Sequence, residues 1–299
     1  MVADRGRRRI FGVFFLLLCP TCTPAGRADQ QNEARIVSLS PAVSETVVAL
    51  GAAQHLVGIS DYCVLGRQGA DLPRVGSALT PNYESIARLS PSLILTSDVG
   101  GDQLAPLLQL APTHALPWLT VEDFAQAVTQ MGELLGRQKK AQALRERIVS
   151  ELPAQGPADG ARVLWVLADG AGTSSGFWFI RRNSIHGAAL HAAGAKNAVE
   201  RDVTGSPQLP PEEILRLDPD ALLVVRDGVP ERKAEERARK RFATLPLRAV
   251  REGRVYVLSQ PQALSIGPQV LALAHKLRTT LGQLRPSQVQ PSQVQATPP

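Results

Sequence analysis

The pattern Glu-x-Ile-x-Arg-Leu-x-Pro occurs twice in this chain, as Glu84-Ser-Ile-Ala-Arg-Leu-Ser-Pro91 and as Glu212-Glu-Ile-Leu-Arg-Leu-Asp-Pro219. The apolar runs Leu93-Ile-Leu95 and Ala221-Leu-Leu223 follow shortly after the two prolines. Each copy therefore predicts a short helix, a proline turn and a buried strand. A duplicated unit of this kind predicts two related lobes within one chain.

Strands and helices alternate around each copy of the repeat. The first series opens with the β-rich run Arg35-Ile-Val-Ser-Leu-Ser40, and the second opens with Arg162-Val-Leu-Trp-Val-Leu167. Alternation of this kind is typical of parallel sheets covered by helices. We predict an α/β fold with two Rossmann-like lobes, residues 34–119 and 161–284.

The stretch between the lobes, residues 120–152, has a different pattern. It contains no proline and holds a helical periodicity over its whole length, with Gly136 as its weak point. Thr120 and Asp123 form a plausible N-terminal cap. We predict that this segment is one long rigid helix joining the lobes, with a ligand cleft between them.

The two repeated glutamates, Glu84 and Glu212, lie in the predicted first turns of their helices. A carboxylate in a first turn is favoured by the helix dipole, typically by about 0.3–1 kcal/mol, and this explains either glutamate alone. Two lobes that each present one carboxylate at corresponding ends also make a two-point docking surface. Charge pairs with arginines of a partner would fix its orientation.

The N-terminus has the order of a secretory signal: basic residues at 5–9, an apolar run at 10–19, and small residues up to 28. The apolar run is about half the length that a membrane-spanning helix needs. We predict a signal peptide over residues 1–28 and export to the periplasm. Lipid attachment at Cys19 or Cys22 is the alternative to a soluble mature protein.

Composition limits the classes of partner. The chain has a formal net charge of +6, but residues 1–28 hold five of the 33 basic and one of the 27 acidic residues, so removing them leaves +2. Nucleic acid is not an expected partner, because the basic residues of 232–241 alternate with glutamates.

Cys63 would be the single cysteine left after removal of residues 1–28, and we expect it to be a small buried residue. The polar tail, residues 285–299, is predicted to be disordered.

Three further segments lie before the first repeat, in a characteristic order and spacing: Arg35–Glu45, Leu50–Ala52 and Val57–Cys63. Over roughly residues 34–284 the chain resembles periplasmic binding proteins of ABC importers, in the subgroup that binds cobalamin, ferric siderophores or haem. The resemblance implies a monomer that captures ligand between its lobes. It also implies docking on an inner-membrane ABC permease, powered by its ATPase, with the glutamate of each repeat meeting permease arginines.

The candidate ligand-binding residues are Tyr62, Phe177 and Trp178. The resemblance implies that Tyr62 is a cleft tyrosine, and the other two rings follow a Gly/Ser-rich turn where the second lobe would face the cleft. Flat ligands such as corrins stack on such rings, although each ring could equally be ordinary packing. Gln269 stands where the family often has an arginine, which disfavours a triscatecholate siderophore. The expected ligand is a cobalamin-like corrinoid or an iron chelate, with haem as the alternative.

No catalytic, metal or cofactor site is predicted. His186 and His191 are five residues apart, which is off the spacing that places two ligands on one helix face. The run Thr173–Gly176 is not a nucleophile elbow. We therefore expect a binding protein and not an enzyme. The alternative from another class is an exported sensor or enzyme on the same scaffold.

Overall fold

The structure is a computed structural model. It describes residues 34–97, 104–157, 159–167, 176–205, 207–227, 231–260, 263–282 and 284. The predicted signal segment 1–28, including Cys19 and Cys22, lies outside the described residues, and so does the predicted tail 285–299.

The first lobe is built on a four-stranded sheet with strand order β2-β1-β3-β4, in which every pairing is parallel. Its elements, in chain order, are β1 (Ile36–Ser38), α1 (Pro41–Ala49), β2 (Leu56–Ile59), α2 (Tyr83–Arg88), β3 (Leu93–Ser97), α3 (Leu104–Leu110) and β4 (Thr113–Leu116). The carboxyl ends of parallel strands lie at one edge of a sheet, which is where ligands of α/β proteins bind. The loops after β2 and β4 therefore open towards the same side.

The second lobe repeats this plan with strand order β10-β9-β5-β7, again all parallel. The antiparallel pair β6-β8 lies beside it. Its elements are β5 (Arg162–Leu167), β6 (Phe177–Trp178), α6 (Ile185–Ala192), β7 (Lys196–Asn197), β8 (Gln208–Leu209), α7 (Pro211–Leu217), β9 (Ala221–Asp227), α8 (Arg232–Ala243), α9 (Arg248–Arg251), β10 (Val255–Gln260) and α10 (Val270–Leu281). The predicted fold of two α/β lobes with parallel sheets is confirmed.

The segment between the lobes forms two helices, α4 (Val121–Leu134) and α5 (Gln138–Glu151), which pack against each other. The prediction of one continuous helix over 120–152 is therefore wrong. Gly136 has a φ of 62°, the left-handed conformation that ends helices and that glycine adopts without steric penalty. The predicted cap at the start is present, because Thr120 and Asp123 form a reciprocal capping box.

The repeat seen in the sequence is also present in the backbone. Ser90 and Asp218 occupy the same place in the two copies, directly before the proline, and have φ values of 43° and 35°. In the part of the chain that the structure describes, they are the non-glycine residues at positive φ. Proline disfavours a right-handed helical conformation in the residue before it, so both helices end in the same unusual way.

The hydrogen bonds after the two turns also correspond. Ser92 Oγ accepts from the backbone N–H of Arg35, and Asp220 Oδ2 accepts from that of Arg162, both at 2.8 Å. In return, the backbone N–H groups of Ser92 and Asp220 donate to the carbonyls of Arg35 and Arg162, at 2.9 and 2.8 Å. The same exchange therefore fixes the first strand of each lobe beside the strand that follows the repeat.

Asp220 contributes more to the stability of this junction than Ser92. It is buried, and it also accepts a hydrogen bond from Arg248 Nη2 at 2.9 Å. We expect Asp220→Ala to lower the free energy of unfolding by about 3 kcal/mol, because it removes the hydrogen-bonded carboxylate from the partly buried Arg248 guanidinium and leaves it with the more distant Asp218, at 3.9 Å. Ser92→Ala removes a neutral hydrogen bond and should lower it by about 1 kcal/mol. Urea unfolding of both variants measures the difference; equal losses would contradict this account.

The two faces of each sheet pack in different cores. Alternate residues of β5 illustrate this: Val163 and Trp165 face an inner core, whereas Leu164 and Val166 face an outer core beneath α7 and α8. The inner core also takes in Ile36 of β1, together with residues of α1, α4, α5, α6 and α10. One apolar core is therefore shared by both lobes, and a large displacement of one lobe would expose it to water.

Candidate ligand cleft and docking surface

Residues 263–267, which we call the interlobe strap, connect β10 to α10 and contact both lobes. Ser265 Oγ donates to Glu45 Oε1 in α1 at 2.7 Å. The indole N–H of Trp118, just after β4, donates to the carbonyl of Ile266 at 2.8 Å. From the second lobe, His186 is hydrogen-bonded to the backbone of the strap. The strap therefore ties the lobes together near the carboxyl ends of their strands, in addition to α4 and α5.

A cavity of about 390 Å³ lies beside the strap, between the end of the first lobe and the second lobe. Its walls are mainly apolar and aromatic, and its lining includes Trp118, Leu119, Leu167, Trp178, Ile180 and Ile266. Cavities of this size and composition are typical of small-molecule sites. The half-buried indole of Trp178 suits a ligand with a flat apolar body, whereas Trp118 is largely buried beneath the cavity wall.

The structure separates the two rings that the sequence grouped together. Trp178 lines the cavity. Phe177 packs instead against Phe242, with ring centroids 5.1 Å apart, and the Arg241 guanidinium lies over the Phe177 ring, 5.1 Å from its centroid. Neighbouring residues of a strand point to opposite faces, and of these two Trp178 is on the cavity side. Phe177 is accounted for by packing in the outer core.

Tyr62 lies just after β2, on the same side of the first lobe as Trp118, and its residue surface is 74% exposed. β2 and β4 are the two edge strands of the sheet, so about three strand spacings, roughly 14 Å, separate their ends. Tyr62 is not among the residues lining the cavity. Its contact with ligand stays a prediction and would need a ligand wide enough to extend across the sheet.

His186, on the first turn of α6, borders the cavity but is only 5% exposed. Its ring stands edge-on to Trp165, with centroids 5.5 Å apart. Burial lowers the pKa of His186 to about 4, despite hydrogen bonds to the backbone of Ala263 and Ser265 that act in the opposite direction. The imidazole is therefore neutral at physiological pH and supports the strap.

The low pKa of His186 makes folding sensitive to acid. The unfolded chain binds a proton near pH 6.5 and the folded protein only near pH 4, so stability is lost as the pH falls through this window. We expect this histidine to account for a loss of about 3 kcal/mol between pH 7 and pH 4. Urea unfolding at both pH values should show a smaller loss in His186→Phe and an unchanged loss in His275→Phe, at an exposed histidine. Equal losses in the two variants would contradict the assignment.

Two other buried groups lie on the first-lobe side of the strap. Burial raises the pKa of Glu45, although Ser265 donates to its carboxylate. Burial also raises the pKa of Cys63, whose Sγ donates to Ser44 Oγ at 3.0 Å. The expectation that Cys63 is a small buried residue is confirmed. A thiol that is buried and protonated is a poor nucleophile.

The two repeated glutamates lie at exposed helix starts. Glu84 follows the cap residue Asn82, whose side chain accepts from the N–H of Ser85, and the Glu84 side chain is 81% exposed. Its carboxylate pairs with Arg88 at 2.8 Å. Glu212 is also exposed, directly after Pro211 at the start of α7. Among the described residues, no cation pairs with the Glu212 carboxylate. Both side chains are exposed, so each can reach a partner, Glu84 by exchanging its pair with Arg88.

The described residues lack two further features, a metal-binding cluster and a membrane-spanning helix. They contain no cluster of three or more His, Cys, Asp or Glu side chains that could hold a metal ion. None of the helices they form combines the length and the apolar character needed to cross a membrane.

Comparison with known sequences shows which family this architecture represents. Residues 36–261, about three quarters of the chain, match the periplasmic binding protein family. The chain belongs to this family. The resemblance inferred from the repeats and the flanking segments is thereby confirmed.

Relatives of this periplasmic binding protein are named for more than one ligand. It is 26% identical over 259 residues to an uncharacterised ABC transporter substrate-binding lipoprotein of Bacillus subtilis, covering 83% of this chain and 79% of that protein. It is 27% identical over 208 residues to a cobalamin-binding protein of Halobacterium salinarum, covering 63% of this chain and about half, 53%, of that protein. The crystal structure of a periplasmic haem-binding protein of Pseudomonas aeruginosa superposes with a TM-score of 0.68 at 26% identity, covering 85% of this chain and 93% of that one.

Sequence reasoning missed several cleft residues of this periplasmic binding protein. Trp118 and Ile266 are not among the candidate ligand-binding residues that the sequence suggests. They are 148 residues apart and meet through one hydrogen bond. No local pattern signals such a contact. Arg181 also lines the cavity and was not singled out, because arginines on the surface of a lobe are common.

Proposed function

We propose that this chain is the exported substrate-binding component of an ABC importer. It captures a bulky planar metal chelate, a cobalamin-like corrinoid or an iron chelate such as haem, between its lobes. It then docks as a monomer on the permease through Glu84 and Glu212, and the associated ATPase drives import. The predicted signal at 1–28 delivers it to the periplasm, as a soluble protein or with a lipid on Cys19 or Cys22.

The cavity beside the strap is the main support for a flat macrocyclic ligand. Trp178 contributes a half-buried indole ring from the second lobe, Trp118 lines the cavity from the first lobe although it is only 3% exposed, and most of the flanking residues are apolar. A flat macrocycle buries apolar surface against such a wall and stacks on its accessible aromatic ring. The relatives named as cobalamin-binding and haem-binding proteins favour the same chemical class.

The docking assignment rests on the duplication. Corresponding residues of the two lobes present one exposed carboxylate each, on helices that end in the same backbone conformation. Arginines of a permease could therefore engage both lobes at once. Since the lobes share a core and are tied by the strap, the distance between the two carboxylates should change little when ligand binds.

The exported sensor or enzyme is the competing function. It would require reactive polar groups that converge in the cleft. In the part of the chain that the structure describes, the histidine at the cavity is buried and neutral, and its ring packs edge-on against Trp165. The geometry therefore favours a receptor that binds its ligand without turnover and needs no cofactor of its own.

The direct test is a spectroscopic titration of the purified protein lacking residues 1–28. We expect saturable binding, with a shift of the absorption bands, for cobalamin or for haem, and unchanged ligand after prolonged incubation. A ferric triscatecholate should bind weakly or not at all. Chemical conversion of the ligand would favour an enzyme, and absence of binding to all three would overturn the proposed function.

A further inference from the structure

Arg181 brings a positive charge to the wall of the apolar cavity. It lies three residues after Trp178, and both side chains line the same space. One guanidinium nitrogen, Nη1, donates to the carbonyl of Val203 at 2.9 Å, which orients the group. A guanidinium has five N–H donors, so most of them remain available after this bond.

The neighbouring Arg182 provides a direct contrast. Its guanidinium forms a bidentate pair with Asp202, with distances of 2.7 and 3.1 Å. For Arg181, no acidic partner lies within ion-pair distance among the described residues. The charge of Arg182 is therefore neutralised within the protein, whereas that of Arg181 is not. The described residues lining the cavity include no aspartate or glutamate.

From this arrangement we infer that Arg181 is a specificity-determining residue of the cleft, which selects a macrocycle carrying an anionic substituent at its edge. The inference rests on the proposed function and specifies its ligand further. The flat body of the ligand lies against Trp178 and the apolar wall of the cavity, and its carboxylate or phosphate accepts hydrogen bonds from Arg181. A guanidinium recognises both anions through paired N–H donors.

The anion could be a carboxylate on a porphyrin ring or the phosphate in the nucleotide loop of a corrinoid. Two ligand pairs separate these sources. The first pair is haem and its dimethyl ester, in which the carboxylates are neutralised. The second is cobalamin and cobinamide, which lacks the nucleotide loop. Each pair keeps the macrocycle and changes the anion.

Affinities of the four ligands are measured for the intact mature protein and for Arg181→Gln, Arg181→Lys and Arg182→Gln. We expect the unaltered protein to prefer the anionic member of one pair by about tenfold or more, as for a charge-assisted hydrogen bond. Arg181→Gln should remove that preference and leave affinity for the other member unchanged. Arg181→Lys should retain part of it, and Arg182→Gln all of it.

The outcomes separate this inference from the proposed function. Equal affinity for both members of the bound pair, or a preference that survives in Arg181→Gln, would overturn the role of Arg181 while the receptor function stands. Absence of binding to all four ligands would overturn the proposed function and this inference with it. Urea unfolding of Arg181→Gln, compared with Arg181→Lys, checks that lost affinity does not arise from a misfolded cleft.

Discussion

We expect the double substitution Glu84→Ala/Glu212→Ala to stop ligand uptake almost completely while ligand affinity stays unchanged. Both carboxylates are exposed and lie at helix starts, so neither supports the core or the cavity. If each meets a permease arginine in a desolvated contact, its loss weakens docking by about 2 kcal/mol or more. The two losses together correspond to roughly a thousandfold weaker complex. Uptake of labelled ligand by cells carrying the importer measures the effect.

The matched control is Glu133→Ala/Glu146→Ala, which removes two exposed glutamates from α4 and α5 and alters the net charge equally. Uptake should be normal in this control. Single substitutions at Glu84 and Glu212 should each give an intermediate defect, because each lobe contributes one contact. Normal uptake in the Glu84/Glu212 double variant would rule out docking through this pair.

The second large effect concerns the adjacent rings Phe177 and Trp178. We expect Trp178→Ala to weaken ligand binding by about 2 kcal/mol, roughly thirtyfold, because an aromatic wall of the cavity is lost. Its effect on the free energy of unfolding should be small. Phe177→Ala should do the reverse: about 3 kcal/mol of stability is lost with the contact to Phe242, and ligand affinity is retained.

Spectroscopic titration and urea unfolding of the two variants provide the comparison. Because the residues are neighbours in one short strand, each variant serves as the control for the other. A loss of affinity in Phe177→Ala that matches the loss in Trp178→Ala would show that both rings serve the ligand. In that case the assignment of opposite faces would have to be abandoned.

Much of the fold, together with the exposure of the two repeated glutamates, could be predicted because the signals are local. The proline turn of each repeat fixes the end of a helix, and the cap residues Asn82 and Thr120 fix the starts of α2 and α4. Glutamate in a first turn is exposed wherever the helix packs through its opposite face. Properties of this kind depend on residues a few positions apart.

The helix break at Gly136 shows where local signals fail. Glycine is tolerated inside a helix at a loss of about 1 kcal/mol, so the sequence permits either a weak point or an end. Packing decides between them, because Gly132 allows the backbone to lie close to Ala141 and the second helix then buries Ile148 in the shared core. The free energy gained by burying the apolar face of α5 against α4 exceeds the free energy that one continuous helix would gain from its extra backbone hydrogen bonds.

The sequence by itself determined the two lobes, their parallel sheets and the exposed carboxylate on each, since these follow from periodicity, caps and a counted repeat. Only the tertiary structure decided the cleft. It brought Trp118 to the strap, turned Trp178 inward and Phe177 away, and left Arg181 without an acidic partner in the described part of the chain. The physical reason is that burial and charge pairing depend on contacts between residues far apart in the sequence, and no local pattern encodes those contacts.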